Sequence, residues 1–437
     1  MWDIPSEVPR HNMIYQKPTG TRDFFPEDMG SRKRVFNSLK AVADSYGFRE
    51  IESPAFEDLG FLKAKSGEEI LGQLFTIERK GSGNEAENFG LRFDMTVPAA
   101  RMFVEKQKSI PKPVKWYYLT RMWRYERPQK GRLREFYQFG VELFGSNKPE
   151  ADAEIISLAI DALAALGLRK EDFAVKLNNR KIIIGLLAGL GLKDKSDDII
   201  KAIDRLKKIS FQEFEDELKK LKLDKKQLDC IKKMIAVKNL SEIQKLGFAN
   251  DEAKQGVEEL SAVMQKLKEY GKEPFVEFDI TIARGLAYYT GTVFECFDKA
   301  GKLRSIFGGG RYDNLIERFG GNPEAATGFA IGDATLQLLL EEKGLWPKAR
   351  FGVDYYIAVV DDSSTKNAIE LCQKLRQKFA VDIDLMQRKL SKQFDYAASI
   401  NAKKVIVVGE QEIKSGKYTV KDMKSGKEEK LGLNKLL

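Results

Sequence analysis

The chain has 437 residues, a length that favours about three domains, and its apolar content of 43% is sufficient for large cores. Its 74 basic and 65 acidic residues leave a net charge of +9, which favours a polyanionic partner without proving one. The 3 cysteines are far apart and lack CxxC spacing, which argues against a disulfide framework and a zinc site and predicts a reducing compartment.

His11 is the only histidine of the chain, and we expect it to occupy a solvated position near the N-terminus. Histidine triads, histidine-ligated zinc and histidine proton shuttles are therefore nearly excluded. No metal ligand from histidine or cysteine is predicted, which leaves the chemistry to arginine, carboxylate, backbone groups and Mg²⁺. The N-terminus lacks a signal pattern, and the longest apolar stretch, residues 182–192, is too short to span a bilayer. We expect a soluble, cytoplasmic protein with no membrane partner.

The first predicted elements are a helix and short strands. Apolar side chains recur at helical spacing over residues 31–46, and Gly47 follows where a C-terminal cap belongs. Residues 49–53 form a short β-prone run. Further strands are predicted at residues 74–78 and 91–96, with a polar, glycine-containing loop between them.

Residues 121–145, RMWRYERPQKGRLREFYQFGVELFG, interleave arginines, glutamates and aromatic residues around one glycine. Apolar runs at residues 116–119 and 139–145 predict two strands, so the segment reads as a β-hairpin whose loop carries cations. Guanidinium groups fixed by neighbouring carboxylates suit phosphate oxygens. From these residues alone, a salt-bridged surface hairpin without a ligand stays open as the alternative.

The rest of the chain predicts a helical segment and a separate C-terminal domain. Residues 151–166 predict a helix, and residues 181–272 are lysine-rich with helical periodicity, which predicts a helical insertion. A solvated helical bundle without a ligand explains that insertion equally well. Strand character returns at residues 274–280 and 290–298. From residue 352 onwards strands and helices alternate, which predicts a small α/β domain with a mostly parallel sheet.

Two glycine-containing clusters complete the pattern. In the first, Arg284 stands beside Gly285 and ahead of two tyrosines, and a glycine after an arginine lets the backbone approach a ligand. The second, FGGGRYD at residues 307–313, is followed by a predicted strand and helix at residues 328–340. The GGGR run alone is weak evidence, because glycine runs also form turns.

Several of these segments resemble, in the same order, the sequence blocks of histidyl-tRNA synthetases. Residues 121–145 resemble motif 2 of class II aminoacyl-tRNA synthetases in its histidyl form, and residues 283–295 resemble the histidine-binding motif. Residues 20–28 and 91–101 are similar to further blocks of this family, and residues 388–412 are similar to its anticodon-binding domain. The resemblance covers nearly the whole chain.

The resemblance implies an α+β catalytic domain with an antiparallel sheet of six strands, a helical insertion, and a C-terminal α/β anticodon-binding domain. The implied boundaries are residues 1–180 for the first part of the catalytic core with motifs 1 and 2, 181–272 for the insertion, 273–346 for the second part with the histidine motif and motif 3, and 352–437 for the anticodon-binding domain. A homodimer is implied as well.

The implied reaction has two steps: histidine and ATP give histidyl-adenylate, and the histidyl group then passes to the 3′ end of histidine tRNA. ATP is a substrate, and Mg²⁺ accompanies it. The implied catalytic residues are Arg124 and Arg284, which hold the α-phosphate from two sides. The implied histidine-binding residues are Asp94, Thr96, Gln138, Glu142, Tyr288 and Tyr289. The implied ATP-binding residues are Arg124, Glu126, Arg132, Arg284 and Arg311. The implied tRNA-binding residues are Arg127, Gln129, Arg388 and Lys389.

The chain departs from the family pattern in two places. Ala334 and Thr335 stand where motif 3 usually has glutamate and the arginine that binds the γ-phosphate, and Ala287 stands where many members have aspartate. Arg311 or Mg²⁺ is the expected substitute for the missing cation. This gap keeps open a second candidate, a non-catalytic paralogue that binds histidine and regulates ATP phosphoribosyltransferase, although such paralogues generally lack the anticodon-binding domain. A third candidate is an RNA-binding or signalling protein that reuses the fold.

Overall fold

The computed structural model describes residues 16–65, 72–77, 89–206, 209–283, 288–349 and 351–437. Contacts divide the chain into two compact units, one with Met1–Asp23 and Arg34–Trp346, and the other with Phe24–Lys33 and Pro347–Leu437. The helices predicted as an insertion belong to the first unit, so the boundaries at residues 181 and 272 stay predictions. Within the described ranges, no helix has the length and apolar character that a membrane crossing requires.

The first unit contains a large, mainly antiparallel sheet and a small second sheet. Its strands are β1 (Arg49–Glu50), β2 (Phe56–Asp58), β3 (Thr76–Ile77), β4 (Phe89–Leu91), β5 (Val114–Trp123), β6 (Glu135–Phe144), β7 (Phe173–Asn179), β8 (Val276–Phe278), β9 (Thr292–Asp298), β10 (Phe307–Arg311) and β11 (Ala326–Gly332). An 8-stranded sheet has the order β1-β5-β6-β11-β10-β9-β7-β8, and β2, β4 and β3 form a small second sheet. Neighbours from β5 to β7 are antiparallel, whereas the edge pairs β1–β5 and β7–β8 are parallel. The predicted antiparallel sheet is confirmed. The strands predicted near residues 49–53 and 274–280 are present as β1 and β8, but their parallel pairing at the two edges was not predicted.

The helices before residue 347 belong to the first unit, except that residues 26–33 of the first helix are grouped with the second unit. Up to residue 346 they are α1 (Pro26–Ser45), α2 (Leu59–Lys65), α3 (Thr96–Lys106), α4 (Pro149–Ala164), α5 (Arg180–Gly189), α6 (Ser196–Arg205), α7 (Phe211–Lys220), α8 (Lys225–Ile235), α9 (Leu240–Ile243), α10 (Asp251–Glu269), α11 (Leu315–Arg318) and α12 (Asp333–Glu342). Helix α4 is buried along most of its length and belongs to the same apolar core as Val141 of β6 and Phe173 of β7. The segment predicted to be helical is confirmed as α5 to α10.

The glycine run of β10 forms a strand and not a turn. Gly309 pairs with Phe294 on one side and with Phe329 on the other. A Cβ atom at Gly309 would lie 2.1 Å from the carbonyl oxygen of Gly328, a distance that real side chains do not show. Glycine is therefore required here because the neighbouring strand approaches too closely for any side chain.

The strand predicted over residues 91–96 is wrong beyond its first residue. Strand β4 ends at Leu91, and helix α3 begins at Thr96. Pro98 lies in the first turn of that helix, where the missing amide hydrogen has no intrahelical partner to lose. The consequence is that Asp94 and Thr96 lie at the start of a helix, close to the sheet.

The second unit contains a smaller mixed sheet. Its strands are β12 (Tyr355–Val359), β13 (Val381–Ile383), β14 (Lys404–Val408), β15 (Lys417–Asp422) and β16 (Glu428–Gly432), in the order β13-β12-β14-β15-β16. Its helices beyond residue 346 are α13 (Thr365–Arg376), α14 (Leu390–Ser399), α15 (Glu410–Ser415) and α16 (Leu433–Leu436). The pairs of β12 with β13 and with β14 are parallel, as predicted. The antiparallel hairpin of β15 and β16 was not predicted.

Candidate active site

A cavity of about 580 Å³ opens on one face of the large sheet, a size typical of small-molecule sites. Its floor consists of small residues on adjacent strands: Gly308 pairs with Ala330, and Gly332 pairs with Gln138. Because these glycines and this alanine have little or no side chain, the floor leaves room for a ligand. Polar and charged side chains line the cavity, namely Arg124, Glu126, Arg132, Gln138, Asp204, Thr281, Glu295, Arg304, Ser305 and Thr335.

Arg124 follows the end of β5 and is held by its inner nitrogen. Its Nε donates to the carbonyl oxygen of Phe93 over 3.0 Å, and its guanidinium carbon lies 5.3 Å from the centre of the Phe136 ring. No residue in the described ranges accepts a hydrogen bond from its terminal nitrogens. The guanidinium group is thus fixed in position, with both terminal nitrogens available to a ligand in the cavity.

The predicted hairpin of β5 and β6 is confirmed, and its loop forms one wall of the cavity. Arg132 donates to Glu126 over 2.8 Å, and the backbone turns at Gly131, whose φ of +77° favours glycine. Arg127 and Gln129 are exposed on this loop. Gln129 accepts a hydrogen bond of 2.8 Å from Arg304, which the sequence had not singled out.

A buried carboxylate lies on the same strand as Gln138. Glu142 is only 2% exposed, and the Thr96 hydroxyl donates to its Oε1 over 2.9 Å. The hydroxyl of Tyr312 donates to its Oε2. A Cβ atom at Gly328, the residue that pairs with Glu142, would lie 2.2 Å from that same oxygen, so the carboxylate occupies the space of a missing side chain.

Aromatic hydroxyls surround this carboxylate. The Tyr288 and Tyr289 rings lie 4.5 Å apart between their centres, and the Tyr288 ring lies 6.0 Å from that of Tyr312. Burial raises the pKa of Tyr312 well above its usual value, and the charge of Glu142 raises it further. The Tyr312 hydroxyl therefore stays protonated and remains a donor at neutral pH.

Tyr118 connects the carboxylate group to Arg124. Its hydroxyl packs directly over Gly140, the residue between Gln138 and Glu142 on that face of β6. Burial raises the pKa of Tyr118, the negative charges of Glu142 and then Asp94 raise it further, and the positive charge of Arg124 opposes them. One buried hydroxyl thus lies within electrostatic range of Asp94, Glu142 and Arg124 together.

Gln138 is buried and faces the cavity. Its side-chain oxygen, Oε1, receives no hydrogen bond from any residue in the described part of the chain. A buried polar atom without a partner is costly unless a ligand or water satisfies it. Gln138 is therefore available to bind a ligand donor inside the cavity.

The geometry does not support the prediction that Arg311 binds ATP. Its Nε donates to Asp152 over 3.0 Å, and its Nη1 donates to Asp313 over 3.1 Å and to the carbonyl oxygen of Ser146 over 3.0 Å. Arg311 is 7% exposed, and it lies on the face of β10 that packs against α4. Because the guanidinium is committed to a buried ion pair on that face, it cannot reach the cavity.

Two residues of the predicted histidine motif, Arg284 and Ala287, lie outside the described residues. The prediction that Arg124 and Arg284 meet at one phosphate therefore stays a prediction.

The tRNA-binding residues predicted in the second unit are Arg388 and Lys389. Arg388 donates to Asp384 over 3.0 Å, and its guanidinium carbon lies 4.3 Å from the centre of the Tyr396 ring. Lys389 is exposed immediately before α14.

Comparison with protein families identifies the family to which this fold and cavity belong. The family model for histidyl-tRNA synthetase matches residues 20–336, which include the sheet and the whole cavity. The chain belongs to the histidyl-tRNA synthetase family. A second model, for the anticodon binding domain, matches residues 354–437 and thus the smaller sheet of the second unit.

Individual members of the histidyl-tRNA synthetase family are similar over almost their full length. The histidine–tRNA ligase of Haloarcula marismortui is 41% identical over 419 residues, which cover 95% of both chains. The histidine–tRNA ligase of Pyrococcus horikoshii is 41% identical over 433 residues, which cover 97% of this chain and 98% of the relative. The crystal structure of histidyl-tRNA synthetase from a Nostoc species has a TM-score of 0.78 at 26% identity, and the match covers 97% of this chain and 98% of that one.

Proposed function

We propose that this chain is a histidine–tRNA ligase that activates histidine with ATP and transfers it to the 3′ end of histidine tRNA. The observation that carries the proposal is the set of side chains along one face of β6. Phe136 and Gln138 line the cavity, and Glu142 lies beyond Gly140 with two hydroxyl donors. Gln138 and Glu142 are four residues apart, which corresponds to roughly 13 Å along a strand. This spacing separates an amino-acid pocket from a nucleotide cavity and keeps both on one rigid element.

In the first step, a carboxylate oxygen of histidine attacks the α-phosphorus of ATP. A new bond forms between the carboxylate oxygen and the α-phosphorus. The bond between the α-phosphorus and the oxygen that bridges it to the β-phosphate breaks, and pyrophosphate leaves. No protein base is needed, because the attacking carboxylate is already ionised. Fixed guanidinium groups stabilise the negative charge that gathers on the phosphate oxygens. We assign this role to Arg124, together with Arg284 from the family's histidine motif.

Recognition of histidine is assigned to the buried carboxylate and its neighbours. Glu142 accepts a hydrogen bond from one ring nitrogen, Tyr288 and Tyr289 pack at the ring, and Asp94 with Thr96 binds the ammonium group. An apolar amino acid would leave this buried carboxylate without its ligand partner, which explains strong discrimination without an editing domain. Gln138 orients the substrate.

ATP binding is assigned to the cavity next to Gln138. Arg124, Glu126 and Arg132 line it, and we propose that ATP enters as its magnesium complex, as substrate. The carboxylates of Glu126 and Glu295 on the cavity wall would supply oxygen ligands of the kind that Mg²⁺ prefers. Transfer of the histidyl group then follows when a terminal ribose hydroxyl of the tRNA attacks the carbonyl carbon and AMP leaves.

Contacts to tRNA are assigned to two separate surfaces. Arg127 and Gln129 are exposed on the hairpin loop, next to the cavity where the 3′ end must enter. Arg388 and Lys389 are proposed to contact the anticodon. A mobility shift with a histidine tRNA and an unrelated tRNA at moderate salt tests this assignment, because equal binding would leave only nonspecific charge attraction. A cytoplasmic location and a homodimer are proposed from the family resemblance, and sedimentation equilibrium tests the second.

The experiment that tests the proposed activation step is histidine-dependent exchange of label between pyrophosphate and ATP. A ligase carries out this exchange, whereas a non-catalytic paralogue that regulates ATP phosphoribosyltransferase, or an RNA-binding protein with the same fold, does not. The match of residues 354–437 to the anticodon binding domain favours the ligase over that paralogue. Absence of exchange in protein that binds both substrates would overturn the proposal.

A further inference from the structure

Arg304 lies at the mouth of the cavity. It lies between β9 and β10, in a connection whose residues 301 and 303–306 line the cavity. Its Nη2 donates to the side-chain oxygen of Gln129 over 2.8 Å. Arg304 therefore joins the β9–β10 connection to the hairpin loop across the cavity entrance.

The charges around Arg304 indicate what the cavity binds at this end. Partial burial lowers the pKa of Arg304, the positive charge of Arg132 lowers it further, and the negative charge of Glu126 opposes them. Glu126 is already paired with Arg132. Arg304 and Arg132 both line this end of the cavity with Glu126 as their nearby carboxylate, and an anion at this place would relieve the repulsion between the two guanidinium groups. Arg124 lines the same cavity and brings a third guanidinium group.

Thr335 lies at this same end of the cavity. Its hydroxyl donates to the carbonyl oxygen of Gly131 over 3.4 Å, and Gly131 belongs to the turn in which Gln129 and Arg132 bridge each other. The hairpin turn therefore contacts Thr335 through Gly131 and Arg304 through Gln129. The family resemblance leads us to expect a phosphate-binding arginine at this position, but threonine is neutral and short and provides no cation. Arg311 cannot replace that arginine, because it lies on the opposite face of the sheet.

We propose that Arg304 binds the terminal phosphates of ATP and supplies the cation that Thr335 lacks. The inference rests on the proposed function and deepens it, because it assigns the triphosphate end of ATP to the hairpin turn and the β9–β10 connection. The α-phosphate then lies towards Arg124. A guanidinium fork that is already held at one nitrogen by Gln129 keeps its other donors for phosphate oxygens.

The test compares Arg304→Gln with Lys302→Gln. Lys302 lies two residues away in the same connection, pairs with Glu342 over 2.8 Å, and is outside the cavity lining, so its replacement removes the same charge at a place where no phosphate is expected. Binding of ATP and of AMP is measured by calorimetry without histidine. Arg304→Gln is expected to weaken ATP binding by about tenfold or more, the scale of one charge-assisted hydrogen bond, and to leave AMP binding unchanged. Arg304→Lys, which keeps the charge, should recover part of the loss, and Lys302→Gln should match the wild type.

The outcomes separate this inference from the proposed function. If the wild type shows histidine-dependent exchange and Arg304→Gln binds ATP as tightly as the wild type does, the role of Arg304 is overturned while the ligase proposal stands. Equal losses of ATP and AMP affinity in Arg304→Gln also overturn it, because AMP has no terminal phosphates. If the wild type shows no exchange, but prefers ATP to AMP and Arg304→Gln has lost this preference, the ligase proposal fails and the phosphate site is supported.

Discussion

The hydroxyl of Tyr312 donates a hydrogen bond to the carboxylate of Glu142, although 170 residues separate them in the chain. Tyr312 follows the glycine strand β10, and Glu142 lies near the end of β6, with β11 between these two strands. The contact is possible because Gly328 on β11 has no side chain to occupy the space. The recognition of histidine that we propose therefore depends on three strands at once.

Replacing Tyr312 by phenylalanine removes one donor from the buried Glu142 carboxylate. We expect histidine to bind about tenfold more weakly, a loss of about 1.4 kcal/mol, because the carboxylate loses a fixed hydrogen bond. Calorimetric titration with histidine checks this, and Tyr270→Phe, at a 42% exposed position, is the control. Unchanged affinity for histidine in a folded Tyr312→Phe variant would show that the hydroxyl has no part in recognition.

Replacing Gly328 by alanine places a Cβ atom 2.2 Å from Oε2 of Glu142 and 2.5 Å from the carbonyl oxygen of Val141. We expect the free energy of unfolding to fall by about 1–3 kcal/mol, as for other overpacked positions, and histidine binding to be lost. Urea denaturation and histidine titration measure the two effects. Gly332→Ala on the same strand is the matched control, because a Cβ atom there meets nothing within 4 Å. Equal stability of the two variants would contradict the close approach at Gly328.

Replacing Arg124 by glutamine removes the fixed cation next to the reacting phosphate. We expect the kcat of histidine-dependent pyrophosphate exchange to fall by roughly a hundredfold, corresponding to about 3 kcal/mol of lost transition-state stabilisation. Steady-state exchange assays measure it. Arg121→Gln is the control, since Arg121 lies near the end of β5, shortly before Arg124, but donates to the Tyr137 hydroxyl outside the cavity. Similar kcat values for the two variants would remove Arg124 from the chemistry.

Replacing Arg311 by glutamine tests the correction to its predicted role. The buried Asp152 carboxylate would lose its cation, so we expect the free energy of unfolding to fall by about 3 kcal/mol with no change in the KM for ATP of the folded protein. Urea denaturation and exchange kinetics measure the two quantities, with the exposed Arg318→Gln as the control. A raised KM for ATP together with wild-type stability would restore Arg311 to the ATP site.

The resemblance and the strand patterns were sufficient to predict the architecture, but not which side of a strand each residue faces. Arg311 illustrates this limit. Side chains alternate between faces, and a Cβ atom at Gly310 would touch Tyr289 of the site, whereas one at Gly309 would touch Phe294 and Phe329 of the core. Arg311 therefore faces the core side, together with Gly309. A glycine run carries no apolar alternation, so the sequence contained no signal for this parity.

Some other parts of the fold and of the site have no sequence pattern from which they could be predicted, for physical reasons. Strand β16 is mostly exposed and rich in lysine and glutamate, so its hairpin with β15 has no apolar face to reveal it. Arg304 lies in a connection between strands, where position depends on tertiary contacts and not on local periodicity. Tyr312 lies within the FGGGRYD cluster, and a tyrosine directly after GGGR was the available signal for its role.

The most direct test of the whole account is the charging of tRNA by the full-length protein with ATP, Mg²⁺ and labelled histidine. We expect ATP-dependent attachment of histidine to the 3′ end of histidine tRNA, no attachment to an unrelated tRNA, and a severe loss in Arg124→Gln. Failure to charge histidine tRNA with protein that binds histidine and ATP, or equal charging of both tRNAs, would contradict it.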